Sequence, residues 1–555
     1  MRNFKKISCY VLCCAAFVFN NGCKKSKEPD ILASDTSLSF TVNDVYNGTL
    51  NYEVSGKPVI KFTFTEAVDP ATSTEAVKLT DASGGNIVLS TSLTDANKIL
   101  TLIPQSNLLG FASYNLAITN ALKSAKGGRL INPVTINFTT GLDNTDKFPR
   151  ITDDELLTLV QKQTFKYFYD FGHPESGLAR ERNTSGNTVT TGGSGFGIMA
   201  LVTGIHRNFI TRAEGLARMQ KIVGFLKNKA QTFHGAFPHW LDGNTGAMLP
   251  FSAKDNGGDL VETSLLMQGL ITARQYFSGP DAAESALRTD INSIYHAVDW
   301  DWYRKDNSNV LYWHWSPNYN WEMNLPVKGW NEALITYVMA AASPTHAIPK
   351  SIYDQGWAQN GGMKNGNSYY GIQLPLGPAI GGPLFFAHYS FMGINPFGLT
   401  DAYANYETQN KAHVLINYNY CKTNPLNYAG YGENCWGLTA SDIPNGYTAS
   451  SPANDRGVIA PTAALSSFPY SPVESMQALQ FFYYKLGDKL FKEYGFVDAF
   501  SLQQRWFAST TLAIDQGPII VMIENYRTKM LWNLFMSAPE VKIGMKNLGF
   551  NSPNL

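Results

Sequence analysis

The chain has 555 residues, enough for two or three domains with one of them large. It carries 44 basic and 44 acidic residues, and the lack of a basic excess disfavours a nucleic-acid binder. Only 16% of residues are charged while 13% are aromatic, which suits an exported protein with broad apolar and stacking surfaces.

The first element is Met1–Cys23. Arg2, Lys5 and Lys6 form a basic start, and Ile7 to Phe19 is an apolar run too short to span a bilayer comfortably. Asn21-Gly22-Cys23 then places a cysteine behind a small residue. The stretch resembles a bacterial lipoprotein signal, with residues 1–22 removed and Cys23 carrying the lipid; an ordinary cleaved signal peptide is the alternative. Losing three basic residues leaves the processed chain near −3. The expected address is the cell envelope, anchored in the outer membrane and facing the periplasm or the cell surface, without a supply of ATP. Of six cysteines, Cys9, Cys13, Cys14 and Cys23 belong to this segment. Cys421 and Cys435 remain, and both a disulfide and two packed free thiols stay open.

Residues 23–30 are charged and contain a proline, as a tether would. Over 31–141 the apolar period is two, as in Val59–Phe64, Ile99–Ile103 and Val134–Thr139, with Gly84-Gly85-Asn86 and Gly127-Gly128 as turn signals. Short strands at this spacing predict a β-sandwich. The run PVIKFTFTEAVDPATS…VKLTDASGG…TLIPQSNLLGFASYNLAIT resembles a bacterial Ig-like domain, in which Ala67–Pro70 would be a turn. Residues 142–150 are polar and read as a linker.

From 151 to 555 the period shifts to 3.6. All eleven tryptophans lie here, the first at Trp240. Predicted helices cover Ile151–Phe171, Arg212–Lys229, Asp259–Tyr276, Ala282–Ala297, Asn331–Ala342, Val473–Leu486 and Pro518–Met536. Long loops rich in Gly, Asn, Trp and Tyr separate them. Many helices joined by aromatic loops suggest a mainly α unit, an α/α toroid with a cleft at one end.

Several chemistries are absent from the sequence. Nine histidines include no HExxH, and no His/Cys cluster has metal spacing. There is no GxSxG elbow. Gly192–Gly197 (GGSGFG) superficially resembles a phosphate loop but lacks the following lysine, and reads as a flexible helix entry.

Acidic residues among aromatics remain. Sugars stack apolar faces on Trp and Tyr, and glycosidic cleavage needs two carboxyl groups flanking one bond. Asp259 and Glu262 are three apart and share a helix face, although an N-cap arrangement explains them equally. Glu332 sits at a helix start beside Trp330, and an indole that desolvates a carboxyl raises its pKa. Asp515 lies between an apolar segment and a helix that Pro518 would start, where a cap is the alternative. Glu433 and Asp442 share a loop with Trp436.

The motifs HPESGLARER, GGSGFGIMA, FHGAFPHWLDG, GGDLVET, VLYWHWSPNYNWEMN, GWNEALITYV, GPLFFAHYSFMG, GYGENCWGLTASD and LAIDQGPIIVMIENYRT resemble, in order, the glycoamylase-like domain of glycoside hydrolase family 144. The resemblance spans about 150–550. It implies an (α/α)6 toroid, action on β-1,2-glucan either endo or by releasing sophorose, inversion at the anomeric carbon, and no metal or organic cofactor. It ties Asp259, Glu262 and Glu332 to activity. A similar toroidal glucanase family points to Asp515 as base.

The expected roles are therefore Glu332 as general acid and Asp515 as base, with Asp259 and Glu262 binding hydroxyls and tuning Glu332. Inverting geometry would set acid and base roughly 6.5–9.5 Å apart. Candidate subsite residues are His239, Trp240, Trp313, His314, Trp315, Trp321, His388, Tyr389, Glu433 and Trp436. The expected partners are a β-glucan and, through Cys23, a membrane, with no nucleic acid and a monomeric chain. A polysaccharide lyase and a non-catalytic glycan-binding lipoprotein are the rival classes.

Overall fold

Alternating apolar residues build the first unit of the computed structural model, which describes residues 33–555. The lipoprotein signal, Cys23 and the tether up to Asp30 lie outside the described residues. Contacts divide the chain between Asp143 and Asn144.

The N-terminal unit holds strands β1 (Leu38–Val42), β2 (Leu50–Val54), β3 (Ile60–Phe64), β4 (Val77–Asp81), β5 (Asn86–Ile87), β6 (Leu89–Thr94), β7 (Ile99–Pro104), β8 (Ser113–Ile118) and β9 (Val134–Thr140). They form two sheets, ordered β1-β3-β7-β6 and β2-β9-β8-β4-β5. All pairs are antiparallel except β2 with β9. Side chains on a strand alternate between faces, so Ile60, Phe62, Leu100, Leu102, Leu116, Ile136 and Phe138 meet in one core. Asp69 caps a single helical turn at Pro70–Ser73, where the sequence predicts a turn.

The C-terminal unit is helical. Thr152 and Glu155 form a reciprocal capping box that starts α1 (Asp153–Tyr169). Next come α2 (Thr191–His206), α3 (Arg212–Asn228, boxed by Thr211 and Glu214), α4 (Leu260–Tyr276) and α5 (Ala282–His296). Further along are α6 (Leu334–Ala342), α7 (Tyr406–Thr423), α8 (Pro461–Leu465), α9 (Pro472–Gln480), α10 (Ala513–Thr528), α11 (Met530–Ser537) and α12 (Pro539–Leu548).

Two helical layers result. α2 and α4 are buried nearly all round, as is most of α6 and α10. A helix that is apolar on every side belongs in an interior. α2 packs on α4 and α10, and α4 packs on α6. α1, α3, α5 and α12 bury one face each and cover this inner layer.

Three expectations change here. Gly192–Gly197 does enter a helix as expected, but as buried first turns of α2, which starts at Thr191, and not as a flexible segment. A Cβ at Gly195 would stand 2.2 Å from the Leu265 carbonyl oxygen, so glycine is what lets α2 and α4 touch backbone to backbone. The C-terminal helix begins at Ala513, ahead of Pro518, and breaks at Lys529, whose φ is 60°. The helix predicted over Val473–Leu486 keeps its α form only to Gln480. Cys421 and Cys435 are both buried free thiols.

Candidate active site

Four inner helices begin at one cavity of about 320 Å³. Its wall takes Thr190 from the start of α2, Glu262 from α4, Glu332 from the turn before α6, and Leu512 and Ile514 at the start of α10. The helix dipoles therefore point their positive ends toward this space, while N–H groups of the first turns are taken up by local acceptors, such as Gly192 by Glu262 and Glu262 by Asp259. Glu181, Arg182, His239, Trp240, Phe251, Tyr389 and Tyr447 complete most of the wall.

Asp259 is the N-cap of α4, and its Oδ1 accepts from the Glu262 N–H at 2.9 Å. The N-cap arrangement is thus realised. Its Oδ2 lies 3.1 Å from His239 Nδ1 and 3.2 Å from His314 Nε2. The pairing of Gly258–Asp259 with His314–Trp315 sets that register. His314 Nε2 also meets Asp255 Oδ2 at 3.1 Å.

Burial alone would lower both histidines. The Glu262 charge and the Asp259 bond hold His239 up at about 9, while Asp259 and Asp255 hold His314 up at about 10. Burial would raise Asp259, but its two imidazolium partners outweigh it and depress its pKa. No oxygen of Asp259 is left for a sugar, and its side chain is fully buried. The expected hydroxyl contact by Asp259 is therefore not made by this geometry.

Glu262 lines the cavity. Its Oε2 accepts from the Gly192 N–H at 2.7 Å, and Oε1 stands 3.9 Å from His239 Nε2. Burial is the main cause raising its pKa, with His239 opposing.

Glu332 also lines the cavity, and burial pushes its pKa up to about 7, helped by the charges of Glu262 and Asp259. It lies in the turn ahead of α6, not inside the helix as predicted. Its carbonyl accepts from Ser390 Oγ, whose oxygen in turn accepts from the Ile335 N–H at 3.0 Å. Trp330, the expected source of desolvation, is committed to a ring cluster with Phe391, Tyr406 and His413.

Asp515 sits in the first turn of α10, 2% exposed, just behind the cavity-lining Ile514. Burial and the neighbouring Asp498 raise it well above the usual carboxylate range. Burial and Asp442 raise Asp498 to about 7. The two carboxyls act on each other's ionisation, and neither the buried Asp498 Oδ1 nor the buried Asp515 Oδ2 has a hydrogen-bond partner among the described residues. Behind them, Asp498 Oδ2 accepts from the Asp442 N–H at 2.6 Å. Arg182 Nη1 then lies 3.3 Å from Asp442 Oδ1.

The other expected residues separate cleanly. His239, Trp240 and Tyr389 reach the cavity, with His239 stacked on Phe251 at 4.1 Å. His314 lies one layer back, behind Asp259. Trp313, Trp315 and Trp321 are not in the wall; Trp315 and Trp321 pack on Trp302 instead. His388 is buried against Ser467, and burial lowers its pKa to about 3. Trp436 is a core residue that donates to the Glu474 carbonyl. Glu433 is exposed and pairs with Lys422.

Asp255, Glu181, Arg182, Phe251, Tyr447 and Asp498 escape the sequence reading. Asp255 had a signal, lying one helical turn's spacing before Asp259, and Glu181-Arg182 end the motif HPESGLARER. Asp498, in the apolar run GFVDAF, had none.

Carboxyl groups with opposed protonation tendencies, set among aromatic rings at the starts of buried helices, define the candidate site of a helical domain. Residues 324–539 match the glycoamylase family model, described as "Putative glucoamylase", and residues 19–140 match a bacterial Ig-like domain. The chain belongs to the glycoamylase-like family. It is 48% identical over 420 residues to an exo-β-1,2-glucooligosaccharide sophorohydrolase (non-reducing end) of Parabacteroides distasonis, over 72% of this chain and 58% of that protein. The chain thus spans less than two thirds of that relative's length. An endo-β-1,2-glucanase structure from Chitinophaga pinensis, with sophorotriose and glucose, aligns at 52% identity and TM-score 0.72, over 73% of this chain and all of that one. A β-1,2-glucanase structure from Parabacteroides distasonis aligns at 39% identity and TM-score 0.70, over 90% of this chain and 72% of that one.

Proposed function

We propose that the chain is an inverting glycoside hydrolase that cleaves β-1,2-glucan or its oligosaccharides. The observation that carries this is Glu332, a carboxyl with a pKa near 7 in the wall of an aromatic cavity, facing the same space as Glu262. Relatives named for β-1,2-glucan, both endo and sophorose-releasing, supply the linkage.

Glu332 is the general acid. Its proton passes to the glycosidic oxygen as the bond to the anomeric carbon breaks. The Asp515–Asp498 pair, carrying one proton and one negative charge, takes the proton of the attacking water. Asp515 lies behind the wall, so this step runs through an intervening water or sugar hydroxyl. Glu262 binds sugar hydroxyls and disfavours ionisation of Glu332. Asp259 is a positioning residue: fixed by His314 on one side, it orients His239 on the cavity side and, with Glu262, keeps it protonated. Trp240, Phe251, Tyr389 and Tyr447 are the stacking and walling groups.

We also propose that the two helical layers close into an (α/α)6 toroid, which the inner and outer burial patterns support. Cys23 is the proposed lipid site of an envelope protein. A uronate lyase is less well supported, because Arg182, the arginine in the cavity wall, is tied to Glu181 and Asp442.

The test is incubation with linear β-1,2-glucan, starch and other glucans, with and without a chelator, resolving products by size and the first-formed anomer by NMR. Sophoro-oligosaccharides released first as the α-anomer are expected. Action on starch alone, or an ultraviolet-absorbing unsaturated product, would overturn the reading.

A further inference from the structure

A second cleft, of about 910 Å³, is larger than the acidic cavity and distinct from it. α10 connects the two: Ile514 lines the cavity at its start, and Tyr526 lines the second cleft near its end, about 18 Å further along the helix. The rest of the wall comes from Asp153, Arg207, Val473, Gln477 and Arg527, among others.

Its charges are already spoken for. Arg207 grips the buried Glu524 with both nitrogens, at 2.7 and 3.0 Å. Arg527 bonds to Asp154 and to Gln161, each at 2.7 Å. An anionic ligand would find no free guanidinium.

What the cleft does offer is a ring and neutral polar groups. Tyr526 is 42% exposed and is backed by Phe468, ring centres 5.4 Å apart. Val473 is 63% exposed beside it. The Tyr526 hydroxyl and the Gln477 amide have no hydrogen-bond partner among the described residues, whereas Asp153 Oδ1 accepts from Gln480. A supported aromatic face with amide, hydroxyl and carboxylate edges matches a neutral sugar, whose apolar face stacks and whose rim hydroxyls bond.

We propose that this cleft is a second glycan-binding site that holds a neutral glucan segment on Tyr526 while another part of the chain occupies the acidic cavity. The choice of glucan rests on the proposed function.

The test is affinity electrophoresis of the full chain carrying Glu332→Gln, through gels containing linear β-1,2-glucan or, separately, other neutral glucans. Adding Tyr526→Ala should weaken retention at least threefold, and adding Tyr526→Phe should keep it within twofold. In the otherwise unchanged enzyme, Tyr526→Ala should leave turnover of a sophoro-trisaccharide unaltered. Retention unchanged by Tyr526→Ala, or absent on every glucan, overturns the proposal, as does an equal loss of trisaccharide turnover. If the enzyme hydrolyses no β-1,2-glucan yet shows Tyr526-dependent retention on a different glucan, the functional reading falls and this site stands.

Discussion

Replacing Glu332 by Gln tests the energetic argument and the catalytic one together. The carboxyl ordinarily titrates at 4.5 and is pushed to about 7 here, chiefly by burial. Each pKa unit is about 1.4 kcal/mol, so ionising Glu332 in the folded chain costs up to about 3 kcal/mol. Its partial access to the cavity reduces that to roughly 1–3 kcal/mol. The sign follows from proton binding. Between pH 4.5 and 7 the folded state holds the proton that the unfolded state has released, so stability falls as pH rises through this window. Glutamine keeps the shape and cannot ionise. Glu332→Gln should therefore match the parent in thermal melts near pH 4 and exceed it near pH 8. Turnover should meanwhile fall about 10²–10⁴-fold with ligand binding largely kept. In the parent, the alkaline limb of kcat/KM should fall near pH 7, where the acid loses its proton. A variant no more stable at pH 8 than the parent would refute the burial argument. One with near-normal turnover would refute the role.

Asp515→Asn should also slow turnover about 10²–10⁴-fold. It should raise stability above neutral pH, because a carboxyl whose pKa burial and Asp498 raise no longer has to ionise in the folded chain; unchanged kinetics would remove Asp515 from the mechanism. Gly195→Ala should cost about 3 kcal/mol in urea unfolding of the helical unit, since the added methyl meets the Leu265 carbonyl oxygen at 2.2 Å; a neutral result would mean that α2 and α4 can separate freely. A chain starting at Asn144 should fold and keep most turnover on short soluble oligosaccharides, because each unit has its own core; a folded but inactive product would show that the β-sandwich contributes to catalysis.

The strands of the first unit were legible because one face is wet, which leaves period-two alternation in the sequence. The covering helices α1, α3 and α5 were legible for the same reason. α2 was not: burial on every side erases the amphipathic signal, and its glycines look like a loop until a partner helix is seen touching them. α7 hides differently, because Gln409, His413 and Asn417 spend their polar groups on the backbone of Leu376, Gly382 and Leu438. In the site, Asp259, Glu262 and Glu332 could be read from motifs, since helix starts leave local signatures. Asp498 could not, because its partner Asp515 is distant in sequence. Aromatic residues misled most: composition does not distinguish the cavity ring Trp240 from the core ring Trp436.

The acidic groups stand at the starts of the inner helices, while much of the wall comes from the loop after α3, the segment before α7 and the strand pair near Tyr447. Chemistry and recognition are thus carried by parts of the chain with different tolerance to change. The helix starts are fixed by backbone contacts such as Gly192 with Glu262, and shifting them would disturb the whole inner layer. The loops can exchange their aromatic residues without moving a helix-start carboxyl, provided Asp255 and Asp442, which lie in them and bond to His314 and Asp498, are kept. A scaffold partitioned this way lends itself to grafting: exchanging the wall residues Trp240, Phe251 and Tyr447 between relatives that trim chain ends and relatives that cut internally, with Asp255 and Asp442 kept, should convert one cleavage pattern toward the other while the acid and its proton stay where they are.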